Sequence, residues 1–101
     1  MKQINSTKPP RNLSKEARVW WQTIQSEWNL DSTGILYLNT AMESYDLMKQ
    51  AQAILNREGL VIVDRFKVQR QHPATLILRD AKNQMLKNLE ALHLDISVIG
   101  K

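Results

Sequence analysis

The chain has 101 residues, which fits one domain with a thin hydrophobic core. It contains no Cys, which excludes disulfides and thiolate metal sites and fits a reducing compartment. There is no apolar run of the ~18 residues that a transmembrane helix needs, and the polar N-terminus lacks the apolar core of a secretion signal, so we expect a cytoplasmic protein. The net charge of +4 favours anionic partners such as nucleic acid without identifying one.

The first predicted segment is a flexible basic arm over residues 1–12. Lys2, Lys8 and Arg11 supply its positive charge, and the pair Pro9-Pro10 prevents a helix before it. The arm is either a tail that touches phosphates or a disordered terminus.

The first helix is predicted from Ser14 to Trp28, with Ser14 as N-cap. Apolar residues recur on one face at helical spacing: Leu13, Ala17, Trp20, Trp21, Ile24 and Trp28. Three Trp on one arc form either a stacking platform for bases or a hydrophobic core. Lys15 and Arg18 lie outside this stripe.

A long helix over residues 31–59 organises the predicted fold. Asp31 supplies an N-cap, and Gly59 can take the left-handed conformation that ends a helix. One apolar band comprises Leu38, Ala41, Tyr45, Met48, Gln52 and Leu55. A second band lies on another side and comprises Leu36, Thr40, Leu47, Ala51 and Ile54. Because a surface helix needs only one apolar stripe, the second band is predicted to be covered either by the same chain or by another copy.

Two β-rich runs around Asp64-Arg65 predict a hairpin at 60–71, with strands at 60–63 and 66–70. Asp64-Arg65 is not a favoured two-residue turn, so a longer turn is also compatible with the sequence. Arg65, Lys67 and Arg70 form the densest positive cluster of the chain. An isolated hairpin is marginal in water, so this one must lean on a helix or on a neighbouring subunit.

The last helix is predicted to open at Pro73. Its buried stripe comprises Ala74, Ile77, Leu78, Ala81, Met85, Leu89 and Leu92. The apolar residues of 94–101 either cap the bundle or become buried only in an assembly. The predicted fold is therefore mainly α, with a three-helix core, a long central helix and a β-hairpin between the second and third helices. Its domains are the arm, a helical oligomerisation domain at 13–96 and a tail at 97–101.

No catalytic constellation is present in the sequence. His72 and His93 lie on separate segments without metal-ligand spacing, and His72 is interpreted as a cap or turn residue. Glycine occurs only at 34, 59 and 100, so no phosphate-binding glycine loop exists. We expect no enzyme activity, no cofactor, no metal and no small-molecule substrate, which leaves binding and assembly.

The order of features resembles the phage terminase small subunit family over roughly residues 9–97. The matching residues are Pro9, Pro10, Leu13, Ala17, Trp21, Leu30, Ala51, Gly59, His72, Pro73, Leu89, Leu92, Leu94 and Asp95. The resemblance implies a non-enzymatic component of a phage or prophage DNA-packaging motor. Such subunits form rings, recognise the viral genome and pass it to a large subunit that carries the ATPase and nuclease.

Residue patterns and resemblance together predict two functional surfaces. The expected double-stranded DNA contacts, mainly to phosphates, are Lys8, Arg11, Lys15, Arg18, Arg65, Lys67 and Arg70. The expected contacts between copies are Leu36, Thr40, Leu47, Ala51 and Ile54. A self-assembling helical adaptor without nucleic-acid binding is the competing interpretation. A helix-turn-helix regulator is disfavoured because no basic recognition helix is visible.

Overall fold

The computed structural model describes residues 8–28 and 30–92. In chain order its elements are α1 (Lys15–Glu27), α2 (Ser32–Glu58), β1 (Val61–Val63), β2 (Gln69–Gln71) and α3 (Ala74–Ala91). The predicted mainly α fold, with a long central helix and a hairpin before the last helix, is confirmed. The beginning of the arm, His93, the apolar residues of 94–101 and the predicted tail lie outside the described residues.

Local side chains set the helix ends. The Ser14 hydroxyl accepts a hydrogen bond from the Ala17 amide at 3.1 Å, and the Asp31 carboxylate accepts one from the Gly34 amide at 2.8 Å. Both satisfy amides that the first helical turn leaves without an intrahelical partner. Gly59 ends α2 with φ of +87°, which glycine adopts without the strain of a Cβ. These predicted caps are confirmed.

The main core lies where α1 and α3 pack on the N-terminal half of α2. It is built from Leu13, Ala17, Trp21, Ile24, Ile35, Leu38, Ala41, Met42, Tyr45, Met85 and Leu89. Trp20 and Trp28 pack against it, so the Trp stripe belongs to the core and not to a base-stacking platform. The Trp21 indole donates a hydrogen bond to Asn39 Oδ1 at 2.8 Å, which pairs the one polar group of this buried side chain.

A smaller core joins the C-terminal half of α2 to the beginning of α3. Ala51, Leu55 and Ala74 are buried there, with Ile54 and Leu78 packed against them. Because Ala51 and Ala74 are small, the two helices approach closely at this level. α1 does not extend this far, since its first turn lies beside Asp46.

The shortness of α1 explains where the predicted stripes are wrong. Gln52 shares a face with Ala41 but is exposed, because α1 covers α2 only from its N-terminal half to the level of Asp46. Ile77 is 44 % exposed, because only α2 covers α3 at this end and Ile77 lies at the edge of the stripe. Conversely, Ile35 and Met42 are buried between the helices although neither belongs to a predicted band.

The hairpin pairs antiparallel, with Val61 opposite Gln71, Ile62 opposite Arg70 and Val63 opposite Gln69. The second strand therefore begins at Gln69 and not at Phe66, and a loop over residues 64–68 replaces the two-residue turn. The reason is the Asp64 side chain, whose carboxylate accepts hydrogen bonds from the amides of Phe66 and Val68. These bonds hold the loop backbone away from an extended strand.

Candidate functional site

The predicted cations fall into two groups. Two cations lie in the segment before α1 and two lie in the first turns of the helix, and we call these four the N-terminal cations: Lys8, Arg11, Lys15 and Arg18. Arg65, Lys67 and Arg70 lie on the hairpin and form the hairpin cations. Ser14 contacts α2 at Asp46, whereas the hairpin follows Glu58, which lies about 18 Å further along the helix axis at ~1.5 Å per residue. One subunit therefore does not bring the two groups into a single patch.

Contacts with α2 fix the position of the N-terminal cations. The Ser14 amide donates to Asp46 Oδ2 at 2.7 Å, and the Asn12 amide group donates to Glu43 Oε2 at 3.1 Å. Arg18 donates through Nε to the Leu13 carbonyl at 3.0 Å and through Nη2 to the Arg11 carbonyl at 3.1 Å. The guanidinium of Arg18 thus holds the chain before α1 in place, while its charge remains at the surface.

The hairpin cations differ in their roles. Arg70 donates through Nε to Asp64 Oδ2 at 2.6 Å and so helps to hold the loop. The Arg65 guanidinium lies 4.9 Å from the centre of the Phe66 ring. Lys67 has φ of +62°, a left-handed conformation that side chains rarely adopt. We call residues 65–67 the hairpin tip; it presents two cations around an exposed aromatic ring.

The Asp64 carboxylate gives the hairpin a dependence on pH. Its pKa is lowered, first by the hydrogen bond from Arg70 and then by the amides of Val68 and Phe66. A carboxylate with a lowered folded pKa stabilises the fold above its unfolded pKa, and this contribution is lost as pH falls through the folded pKa. We expect exchange protection of the Phe66 and Val68 amides to decrease as the pH falls below the ordinary pKa of an aspartate, about 3.9.

Amide exchange measured by NMR after correction for intrinsic rates tests this expectation. The Trp28 amide provides a matched control, because it donates to the Ile24 carbonyl at 2.9 Å and no carboxylate takes part in that bond. Protection that falls equally at Trp28 and at the loop would contradict a local role for Asp64.

A buried histidine attaches the hairpin to the helices. His72 Nε2 lies 2.8 Å from Glu58 Oε1, and His72 Nδ1 accepts a hydrogen bond from the Ala74 amide at 3.0 Å. This pattern requires the tautomer with the proton on Nε2. The His72 hydrogen bond, followed by Arg57, lowers the pKa of Glu58. The cap or turn role that the sequence predicted for His72 is confirmed, and it links the end of α2 to the start of α3.

The predicted band of subunit contacts divides into two parts. Ala51 is 2 % exposed and Ile54 is half-buried, because α3 of the same chain covers both. Leu36 is 66 % exposed, Leu47 is 46 % exposed and Thr40 is also exposed. We call Leu36, Thr40 and Leu47 the outer stripe of α2. This stripe is the part of the predicted band that remains open to a neighbour.

The hairpin carries a further apolar surface that the predicted site residues omitted. Leu60, Val61, Val63, Phe66 and Val68 are all exposed. In the described part of the chain, extensive packing joins α2 to α3 and α1 to α2, whereas the hairpin has no such packing and is attached to the end of α2 through the contact of His72 with Glu58. The sequence indicated that an isolated hairpin needs support, but it did not reveal how little the helices supply.

No helix among residues 8–28 and 30–92 is long and apolar enough to cross a membrane. The same residues contain no group of His, Asp and Glu side chains that could hold a metal ion. The described surface carries cations in two places and apolar side chains on α2 and the hairpin.

Comparison with known protein families gives a match to the family described as phage terminase, small subunit, over residues 17–100. Comparisons with curated proteins and with solved structures give no match. The family match spans most of the chain and includes α1, α2, the hairpin and α3. The chain therefore belongs to the phage terminase small subunit family, whose role lies in phage DNA packaging.

Proposed function

We propose that this protein is the non-enzymatic small subunit of a phage DNA-packaging motor. In this proposal it assembles into a ring, binds double-stranded viral DNA and regulates a large subunit that carries the ATPase and nuclease, in the host cytoplasm. Family membership supports the packaging role. The observation that carries the assembly proposal is that residues 8–28 and 30–92 leave two different apolar surfaces uncovered, on the outer stripe of α2 and on the hairpin.

Two different uncovered surfaces favour a head-to-tail assembly. In a head-to-tail contact, one surface of a subunit meets a different surface of the next, and repetition closes into a ring when the rotation permits. The outer stripe is a rigid, convex helix face. The hairpin is a two-stranded ribbon whose outer strand edges have no partner in the sheet. Burial against a neighbour would supply the support that the hairpin lacks within its own subunit.

The cations support DNA binding through the phosphate backbone. Arg11 and Lys15 are exposed at the beginning of α1, and Arg65 and Lys67 are exposed at the hairpin tip. Arg18 and Arg70 add positive charge and also stabilise local structure: Arg18 bonds the Leu13 carbonyl before α1, and Arg70 bonds Asp64 of the hairpin loop. Lys8 completes the proposed set. A ring repeats each of these cations in every subunit, so weak individual phosphate contacts sum to a binding surface.

A mobility-shift series in rising salt tests the DNA proposal. Each phosphate contact releases counterions, so affinity should fall linearly on a log–log plot, by about 0.9 in slope for each phosphate neutralised. We expect a steep slope, because several subunits contribute cations. An affinity that does not respond to salt would contradict a phosphate-dominated mode.

The second candidate is a self-assembling helical adaptor that does not bind nucleic acid. The observation that favours it is the internal pairing of two predicted DNA contacts, Arg18 with backbone carbonyls and Arg70 with Asp64. Under this alternative the remaining positive charge serves solubility. Charge reversal at the hairpin tip separates the two candidates.

A further inference from the structure

Phe66 has an unusual position for a large apolar side chain. It is 69 % exposed at the end of a two-stranded ribbon, and it lies between the cations Arg65 and Lys67 in the sequence. Neither the hydrophobic cores nor the strand pairing uses it. Exposure of a phenylalanine has a free-energy cost in water, so the position favours a role outside the isolated subunit.

The loop around Phe66 is held in one shape. Asp64 Oδ1 accepts from the Phe66 amide at 2.8 Å and from the Val68 amide at 3.0 Å. The Lys67 amide donates to the Asp64 carbonyl at 2.9 Å, and the Asp64 amide donates to the Val68 carbonyl at 3.0 Å. Arg70 binds the other carboxylate oxygen. An aromatic ring on a fixed loop loses less conformational entropy on binding than a ring on a mobile loop does.

We propose that Phe66 is an apolar wedge that inserts between base pairs of duplex DNA, while Arg65 and Lys67 contact the adjacent phosphates. The inference rests on the proposed function, because it specifies how the hairpin meets DNA. Proteins that insert Phe or similar side chains between base steps unstack them and kink the duplex. The hairpin tip supplies the three parts that this mode needs: a projecting ring, flanking positive charge and a rigid backbone.

Charge distinguishes DNA from a second copy of the chain as the partner of the tip. The cores of contacts between proteins are depleted of charged residues, particularly Lys. Phe66 lies between Arg65 and Lys67, and the Arg65 guanidinium packs on its ring at 4.9 Å. Insertion into an apolar groove of a neighbour would bury both cations. Insertion between base pairs places them beside phosphates.

The test measures the DNA affinity of the full chain and of its Phe66→Ala variant. Each protein is tested on two duplexes that differ only in that one carries a central mismatch. A mismatch lowers the free-energy cost of unstacking, so the wild type should bind the mismatched duplex with about tenfold higher affinity. Fluorescence energy transfer between labels at the two duplex ends should show that the bound DNA is bent. Phe66→Ala should bind intact duplex about tenfold more weakly, which is within the range of base–aromatic stacking. It should also lose the mismatch preference and the bend. Its salt slope should be unchanged, because the phosphate contacts remain.

Matched variants and native mass complete the experiment. Phe66→Trp should keep the mismatch preference, because it keeps an aromatic ring. Leu76→Ala alters an exposed apolar side chain of α3, outside both proposed surfaces, and should keep both the preference and the bend. Retention of the preference and the bend by Phe66→Ala would overturn the wedge, as would a loss of assembled mass in that variant, which would assign Phe66 to a contact between copies. If the wild type binds neither duplex, the proposed DNA function fails first and the wedge fails with it.

Discussion

Replacing Leu36 and Leu47 together by glutamate should convert the assembled protein into smaller species while the helices stay folded. Both side chains lie on the outer stripe of α2, 66 % and 46 % exposed in the single chain, so the change leaves the subunit core intact. In an interface, burial of each leucine contributes roughly 1.5–3 kcal/mol, and an unpaired buried carboxylate costs more. Repeated at every contact of a ring, this loss should prevent assembly at micromolar concentration.

Light scattering after size exclusion measures the mass, and circular dichroism checks the fold. Leu76→Glu provides a matched control, because Leu76 lies on α3 and is 47 % exposed, almost the same as Leu47. The control should remain assembled with the wild-type mass. A double variant that also keeps the wild-type mass would remove the outer stripe of α2 from the proposed interface.

Reversing the charge of Arg65 and Lys67 to glutamate should weaken DNA binding strongly and leave assembly intact. Both residues are exposed, and neither side chain forms the Asp64 contacts that hold the loop. Loss of one phosphate contact reduces the slope of log affinity against log salt concentration by about one. The double variant should therefore reduce this slope by about two for each subunit that touches DNA. The new carboxylates add repulsion from the phosphates, so the loss should exceed that of alanine substitutions.

The measurement is a mobility-shift series across salt concentrations, with native mass recorded for the same samples. Lys82→Glu with Lys87→Glu carries the same change of charge on exposed positions of α3 and should bind DNA much more tightly than the hairpin variant. Equal losses in both variants would indicate only a nonspecific effect of net charge. Unchanged binding in the hairpin variant would assign DNA contact to the N-terminal cations, whereas a wild type that binds no DNA would favour the adaptor.

The helices were predictable because their signals are local. Ser14 and Asp31 cap the first turns with their own side chains, and Gly59 supplies the left-handed conformation. It was less predictable which faces of α2 are buried, because burial depends on where the helix packed against that face ends. Gln52 and Ala41 share a face, yet only Ala41 is buried, since α1 does not reach Gln52. Periodicity gives the direction of a side chain but not the length of its partner.

The site shows the same division between local and long-range information. The cluster Arg65, Lys67 and Arg70 was visible in the sequence, but the pairing of Arg70 with Asp64 was not. The loop itself had a readable signal, because an aspartate at a turn often binds the amide two residues later. Interpreting Phe66 as a strand residue missed that signal, and with it the exposure of the ring.

The native mass of the wild-type chain at micromolar concentration decides whether the subunits assemble. Because the outer stripe of α2 and the apolar hairpin need neighbours, we predict a particle of several subunits. A homogeneous species of 11.7 kDa, the mass of one chain, would contradict this prediction.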